Sequence, residues 1–246
     1  MNVRYLLLGA LLVLGASVLF AQQRGPKALV VDPRFDMGYM PQNAKVAHTF
    51  WVNNIGTDSL RIHNIQVSCG CTKTNTPTGA IAVNDSVPIE VVFDIGTRRK
   101  AQNKTVHVSS NDPVSSSLEL AFTGYIIDDQ EQAGPVRITR NEKLNLTNTD
   151  FGKTITVEFE NRSKTGILPR AVMWPTELLT LEMPKAEIPP NGIGKILVKL
   201  KAAPPQKNYT KSFTIEFNDA SKSRYTIPVR VAESLSSAKA NLQKGS

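Results

Sequence analysis

Apolar side chains recur at every second position along most of this chain, and the pattern is written twice. Residues 46–54, Val-Ala-His-Thr-Phe-Trp-Val-Asn-Asn, alternate and run into Gly56-Thr57-Asp58-Ser59. Residues 154–161 alternate in the same way and run into Ser163-Lys164-Thr165-Gly166. Val87, Ile89, Val91 and Phe93 form a second alternating set, matched later by Ile196, Val198 and Leu200. Residues 104–109 close on Asn111-Asp112 and residues 211–217 on Asn218-Asp219; residues 118–125 and 225–231 end the two halves. Asp112 to Asp219 and Phe93 to Leu200 are both separated by 107 positions. A period of two sends one face of an extended segment to a core and the other to water, so the chain is committed to sheets. Self-similarity at this offset predicts two units of about 100 residues related by duplication.

Gly, Asn, Asp, Ser and Pro cluster every roughly eight to twelve residues, where a two-sheet sandwich turns its strands. No stretch after the first twenty residues keeps the i, i+3, i+4, i+7 spacing of an amphipathic helix; residues 235–243 are polar and would make a frayed turn at most. The predicted class is therefore all-β, two tandem sandwiches over residues 27–127 and 135–232. The expected core of the first holds Phe50, Val52, Val91, Phe93, Leu120 and Phe122. That of the second holds Val157, Phe159, Val198, Leu200, Ile215 and Phe217. Burying each such side chain stabilises by roughly 1.5–3 kcal/mol, so neither unit needs a disulfide or metal to fold. Between them, residues 128–134 are acidic and polar and read as a linker, with Pro135 stiffening the entry to the second unit. Such a linker lets the units reorient unless they share an interface. Residues 233–246 form a polar tail.

Residues 1–21 have the layout of a secretory leader: a basic start at Arg4, an apolar run over residues 6–20, and Ala21 before the polar Gln22-Gln23-Arg24. The run is shorter than the roughly 20 residues of a membrane span. An uncleaved leader would be the chain's route to membrane association. The formal net charge is +8, but the charges are scattered along strands and turns, with Arg98-Arg99-Lys100 at an expected hairpin tip. That distribution speaks against nucleic acid and for anionic lipids, glycans or an acidic partner surface.

Three groups of residues carry a family resemblance: Phe35-Asp36-Met37-Gly38; Thr49-Phe50 with Asn53-Asn54-Ile55-Gly56 and Leu60; and Ser68-Cys69-Gly70-Cys71-Thr72. Val92-Phe93-Asp94 and Ser110-Asn111-Asp112 fit as well. Over residues 31–126 the chain resembles the bacterial family called domain of unknown function 1573, an immunoglobulin-like module of exported Bacteroidetes proteins. That family is similar in turn to Hydin-type and sperm-protein-type domains. The resemblance implies an immunoglobulin-like sandwich for the first unit, of which the internal repeat makes the second a divergent copy, and a periplasmic or cell-surface location. It implies no reaction. The second half carries Thr176-Glu177-Leu178 where the first has its cysteines, which confines any thiol chemistry to the first unit.

Cys69 and Cys71 are the only cysteines, and three states stand open for them. A disulfide is one: on an extended chain their Cα atoms would lie roughly 6.5–7 Å apart, at the upper limit for a bridge. Gly70 would have to kink the backbone, and the small ring would be strained, a local feature of the rim. Monovalent copper is the second, held by the two thiolates with His48 and His63. The third leaves both thiols reduced as small apolar fillers. His48, His63 and His107 are otherwise expected to be solvent-facing strand residues, and Trp51 and Trp174 to be packing or interface residues on strands. No phosphate loop, zincin helix or nucleophile elbow is present, no cofactor or small-molecule substrate is implied, and the carboxylates of Asp128-Asp129 are solvating charges.

The expectation is thus a noncatalytic envelope protein that binds other proteins through sheet edges and loops. A periplasmic assembly chaperone of the pilus type and a copper or thiol-redox protein are the alternatives. N-terminal sequencing of the exported protein is predicted to begin at Gln22; a chain retaining Met1 in the membrane fraction would mean that the leader is an anchor.

Overall fold

In the computed structural model, which describes residues 24–127, 134–201 and 208–232, the alternating segments pair as strands. The leader at residues 1–21, all but Gly134 of the 128–134 linker and the 233–246 tail lie outside the described residues. The first half contributes β1 (Ala28–Leu29), β2 (Arg34–Pro41), β3 (Lys45–Asn54), β4 (Leu60–Val67), β5 (Thr72–Thr74), β6 (Ala80–Ile81), β7 (Ser86–Asp94), β8 (Lys100–Ser110) and β9 (Ser117–Ile127). The second contributes β10 (Val136–Arg140), β11 (Leu144–Thr147), β12 (Thr154–Asn161), β13 (Pro169–Met173), β14 (Leu179–Glu182), β15 (Ile193–Leu200), β16 (Tyr209–Phe217) and β17 (Arg224–Ala232). The one helical element among the described residues is a 3-10 turn at Asn148–Asp150.

Each half is a two-layer sandwich, and the strand order repeats. Sheet β1-β3-β7-β5 faces β2-β9-β8-β4-β6 in the first; β10-β12-β15-β14 faces β11-β17-β16-β13 in the second. The opening strand of the inner layer runs parallel to the closing one in both, β2 beside β9 and β11 beside β17. All twelve side chains assigned to the two cores from sequence are buried. They form two separate clusters, one per sandwich, because the inward positions of each facing sheet interdigitate.

Duplication extends to a buried polar device. Asn54 and its counterpart Asn161 are both fully enclosed. The Asn54 amide donates to the carbonyls of Asp58 (2.8 Å) and Ile81 (3.0 Å), and its Oδ1 accepts from the Gly56 N–H (3.0 Å). The Asn161 amide donates to Thr165 (2.8 Å) and Ile188 (2.9 Å), and its Oδ1 accepts from Ser163 N–H (2.9 Å). Every partner sits 107 positions after its counterpart. Each side chain thus pins the turn after one strand to the segment that leads into its neighbour, satisfying backbone groups that burial would otherwise orphan.

The two sandwiches are joined through backbone as well as linker. Tyr225 of β17 pairs in parallel with Tyr39 of β2, so the two inner layers become one nine-stranded sheet. Thr226 Oγ1 donates to the Met37 carbonyl (2.7 Å, buried) and lies 2.7 Å from Thr214 Oγ1. Arg224 donates to the Asp36 carbonyl (3.3 Å), and Tyr39 and Tyr225 pack with ring centroids 4.8 Å apart. On the other layer, the Ala47 N–H, at the part of β3 that β1 does not reach, donates to Ser212 Oγ (2.9 Å). The units therefore share an interface, and the condition under which a polar linker would leave them free to reorient is not met.

Gly38 makes this junction. Its φ is +63°, a left-handed conformation that costs little only for glycine. A Cβ there would stand 2.1 Å from the carbonyl oxygen of Arg224, which is backbone and cannot swing aside. Gly38→Ala is predicted to cost about 1–3 kcal/mol from backbone strain and to force β2 from β17. Calorimetry should then resolve two unfolding transitions where the native chain gives one; a single transition at the native midpoint would contradict this.

Candidate functional site: the interdomain cleft and the cysteine turn

The junction sets the second sandwich beside the outer face of the first, and a cleft of about 780 Å³ opens between them. Strand parity decides what faces it. In β3 the even positions Val46, Phe50 and Val52 go inward, so Ala47, Thr49 and Trp51 face out. In β7 Ile89, Val91 and Phe93 go inward, leaving Pro88, Glu90 and Val92 outside. Those outward residues form the floor. One wall is Lys73 and Thr74 of β5, the outermost strand of its sheet. The other is Met173, at the end of the outermost strand β13, and the loop that follows. Trp51 is 54% exposed and Trp174 36%. Trp174, expected on a strand, lies just past the end of β13, where Pro175 cannot continue the ladder.

Charge in the cleft is largely self-compensated. Lys211 of the second sandwich is paired with Glu90 of the first, which both neutralises the floor and ties the two units together. Nearby, the buried carboxylate of Glu216 is held by Arg170 Nε (3.0 Å) and Arg224 Nε (2.8 Å). Desolvation alone would raise its pKa; the bonds from the two guanidiniums outweigh this and hold it below the usual carboxylate range. Arg224 is thereby fixed where it reaches Asp36, so a charge cluster internal to the second sandwich braces the junction.

Cys69 and Cys71 form a disulfide with Cα atoms 5.2 Å apart. The separation expected for an extended chain is corrected by a turn, in which the Thr72 N–H donates to the Cys69 carbonyl (3.1 Å). Gly70 has no left-handed φ, and a Cβ on it would meet no atom within 4 Å, so the turn does not require glycine. Thr72 is buried, its hydroxyl 3.4 Å from Cys69 Sγ and 4.0 Å from Cys71 Sγ. The Cys71 carbonyl accepts from Asp94 N–H (2.8 Å), anchoring the turn to β7.

The four residues considered as copper ligands are not brought together. His63 is exposed on β4, in the opposite layer. His48 is 8% exposed, which corrects its expected solvent-facing position: it shares the inward parity of Val46 and Phe50. Its ring stacks on Phe35 (centroids 3.9 Å) and meets the edge of Phe50 (4.5 Å), and its Nδ1 is enclosed without a hydrogen-bond partner. Among the described residues no group of three or more His, Cys, Asp and Glu converges as a metal site would require. His107 is exposed on β8.

The family described as "Protein of unknown function (DUF1573)" matches residues 30–126. No curated protein matches the chain. Among solved structures, a protein of unknown function from Porphyromonas gingivalis W83 is 12% identical, with 85% of this chain and 100% of that chain covered, at a TM-score of 0.34. The ASH/PapD-like domain of human CEP192 is 10% identical over 45% of this chain and 94% of that one, at 0.36. The Pseudomonas aeruginosa CupB2 chaperone is 8% identical over 82% and 99%, at 0.31.

Burial lowers the pKa of His48 from 6.5 to about 4. The unfolded chain then binds a proton that the folded chain refuses between those values, so this group's share of stability is complete above pH 6.5 and is lost as pH falls toward 4. The loss is about 3 kcal/mol. His48→Phe is predicted to flatten that slope in a thermal-melt series from pH 7 to 4; an unchanged slope would mean that the imidazole is not enclosed. Glu216 adds a second loss that begins as pH falls past the ordinary glutamate value of 4.5 and continues below it, its stabilising charge disappearing as the carboxylate is protonated.

Proposed function

We propose that this chain, whose first sandwich belongs to the DUF1573 family, is an exported, noncatalytic protein-binding module of the bacterial envelope. In this reading the interdomain cleft receives an extended segment of a partner protein. One observation carries it: two sheet-edge strands, β5 and the end of β13, border the same cleft, with Trp51 and Trp174 standing exposed within it. An edge strand offers backbone donors and acceptors that an incoming strand can pair, and the flanking side chains then set specificity. Tryptophan supplies large contact area with a polar tip and is the residue type most often found at the energetic centre of interfaces. The paired Glu90 and Lys211 leave no isolated acid or base to do chemistry on the floor. The leader over residues 1–21 and a disulfide suited to an oxidising compartment support export to the periplasm or cell surface.

A photo-crosslinking residue placed at position 51 or 174 in the native organism should trap the same partner from both positions, and one at His63 should trap nothing. Trp51→Ala with Trp174→Ala should weaken binding of that partner at least about tenfold at an unchanged melting temperature. Adducts that map to a subunit lacking its own final strand would make the protein a pilus-type chaperone. Equal adducts from position 63, or none from the cleft, would refute the reading.

A further inference from the structure

We propose that the Cys69–Cys71 disulfide is a thiol–disulfide exchange site, whose reaction partners are protein dithiols of the exported compartment. The proposal concerns the turn and not the cleft, and stands whether or not the cleft binds a peptide.

The molecule contains its own control for a structural role. The second sandwich repeats the strand order of the first, and 107 positions after the two cysteines stand Thr176 and Leu178. There the Leu179 N–H closes a turn onto the Pro175 carbonyl (2.9 Å), Leu178 fills the core rim, and β14 follows as β5 follows the cysteine turn. A turn at the corresponding place, closed one residue earlier, and an edge strand in the same register are built without sulfur. A bridge that spans one residue also restricts the unfolded chain very little. The cystine is therefore surplus to the fold.

Its surroundings suit exchange. Ser68 and Gly70 are exposed, and the empty space above Gly70 leaves the turn uncovered. Cys71 packs against the core cluster, which makes Cys69 the sulfur open to attack. The enclosed Thr72 hydroxyl touches both sulfurs and can donate to the one that leaves. Two cations stand at the same end of the sandwich: Lys104 Nζ lies 5.2 Å and Arg98 Cζ 6.0 Å from the ring centroid of Phe93, the register partner of Thr72. Burial, and secondarily the nearby Arg98, lowers the pKa of Lys104.

A partner thiolate bonds to Cys69 Sγ, the Cys69–Cys71 bond breaks, and its electron pair leaves on Cys71 Sγ, which accepts the Thr72 hydroxyl proton as a hydrogen bond. The partner's second thiolate attacks its own sulfur in the mixed disulfide and releases Cys69. The partner dithiol is oxidised to a disulfide, the cystine is reduced to two thiols, and the two protons lost by the partner are taken up here.

The test uses the oxidised mature chain with dithiothreitol as the dithiol, alkylation and mass measurement for the thiols, and near-ultraviolet circular dichroism for the fold. Reduction should be complete without loss of native structure and much faster than unfolding. Thr72→Val should slow it at least about tenfold, the size of one hydrogen bond to a charged group, Thr72→Ser should restore it, and Gly70→Val should slow it at an unchanged melting temperature. Reduction no faster than unfolding, equal rates for native and Thr72→Val chains, or collapse of the fold on reduction would each overturn the proposal.

Discussion

One backbone contact organises the molecule: the approach of Gly38 to the carbonyl of Arg224, which lets β2 of the first sandwich pair with β17 of the second. Around it the buried Thr226 hydroxyl satisfies the Met37 carbonyl, so that acceptor is not left orphaned in the junction. Two sandwiches linked only by a polar segment would sample many orientations. Joined here through a common sheet, and again through Ala47 with Ser212 and Glu90 with Lys211, they hold one. The cleft between them exists because that orientation is fixed.

Duplication supplied two copies of one scaffold, and the copies have taken different work. What both keep is scaffold: the strand order, the parallel closing pair, and the enclosed Asn54 and Asn161 with equivalent partners. What they do not share lies at the turn and the junction. Only the first carries a cystine, where the second carries Leu178 against its core. Only the second carries Glu216 between two arginines, and one of those, Arg224, is the residue that leans on β2.

Much of the scaffold was legible because alternation is a direct imprint of a half-buried strand. The twelve core side chains and the two tandem sandwiches followed from it. His48 was legible too, since it sits at the inward parity between Val46 and Phe50; its polarity suggested solvent, and parity prevailed, leaving a neutral ring stacked on Phe35. The cysteine separation was misjudged because a turn hydrogen bond, absent from any extended-chain estimate, shortens it to 5.2 Å. The junction was not legible at all. It rests on a single backbone rung and a few side-chain contacts between segments far apart in sequence, and Gly38 reads as an ordinary turn glycine until the Arg224 carbonyl is placed against it. The cleft walls inherit that opacity, because Trp51 and Trp174 become neighbours of one space only after the sandwiches dock.

The account stands on the two sandwiches forming one rigid body. Residual dipolar couplings measured on the mature chain in a dilute aligning medium, and fitted separately for the two sandwiches, test this most directly. Coincident alignment tensors of equal magnitude are the expected result. Tensors that differ in orientation or magnitude would show independent units, and with them the shared sheet and the cleft would fall.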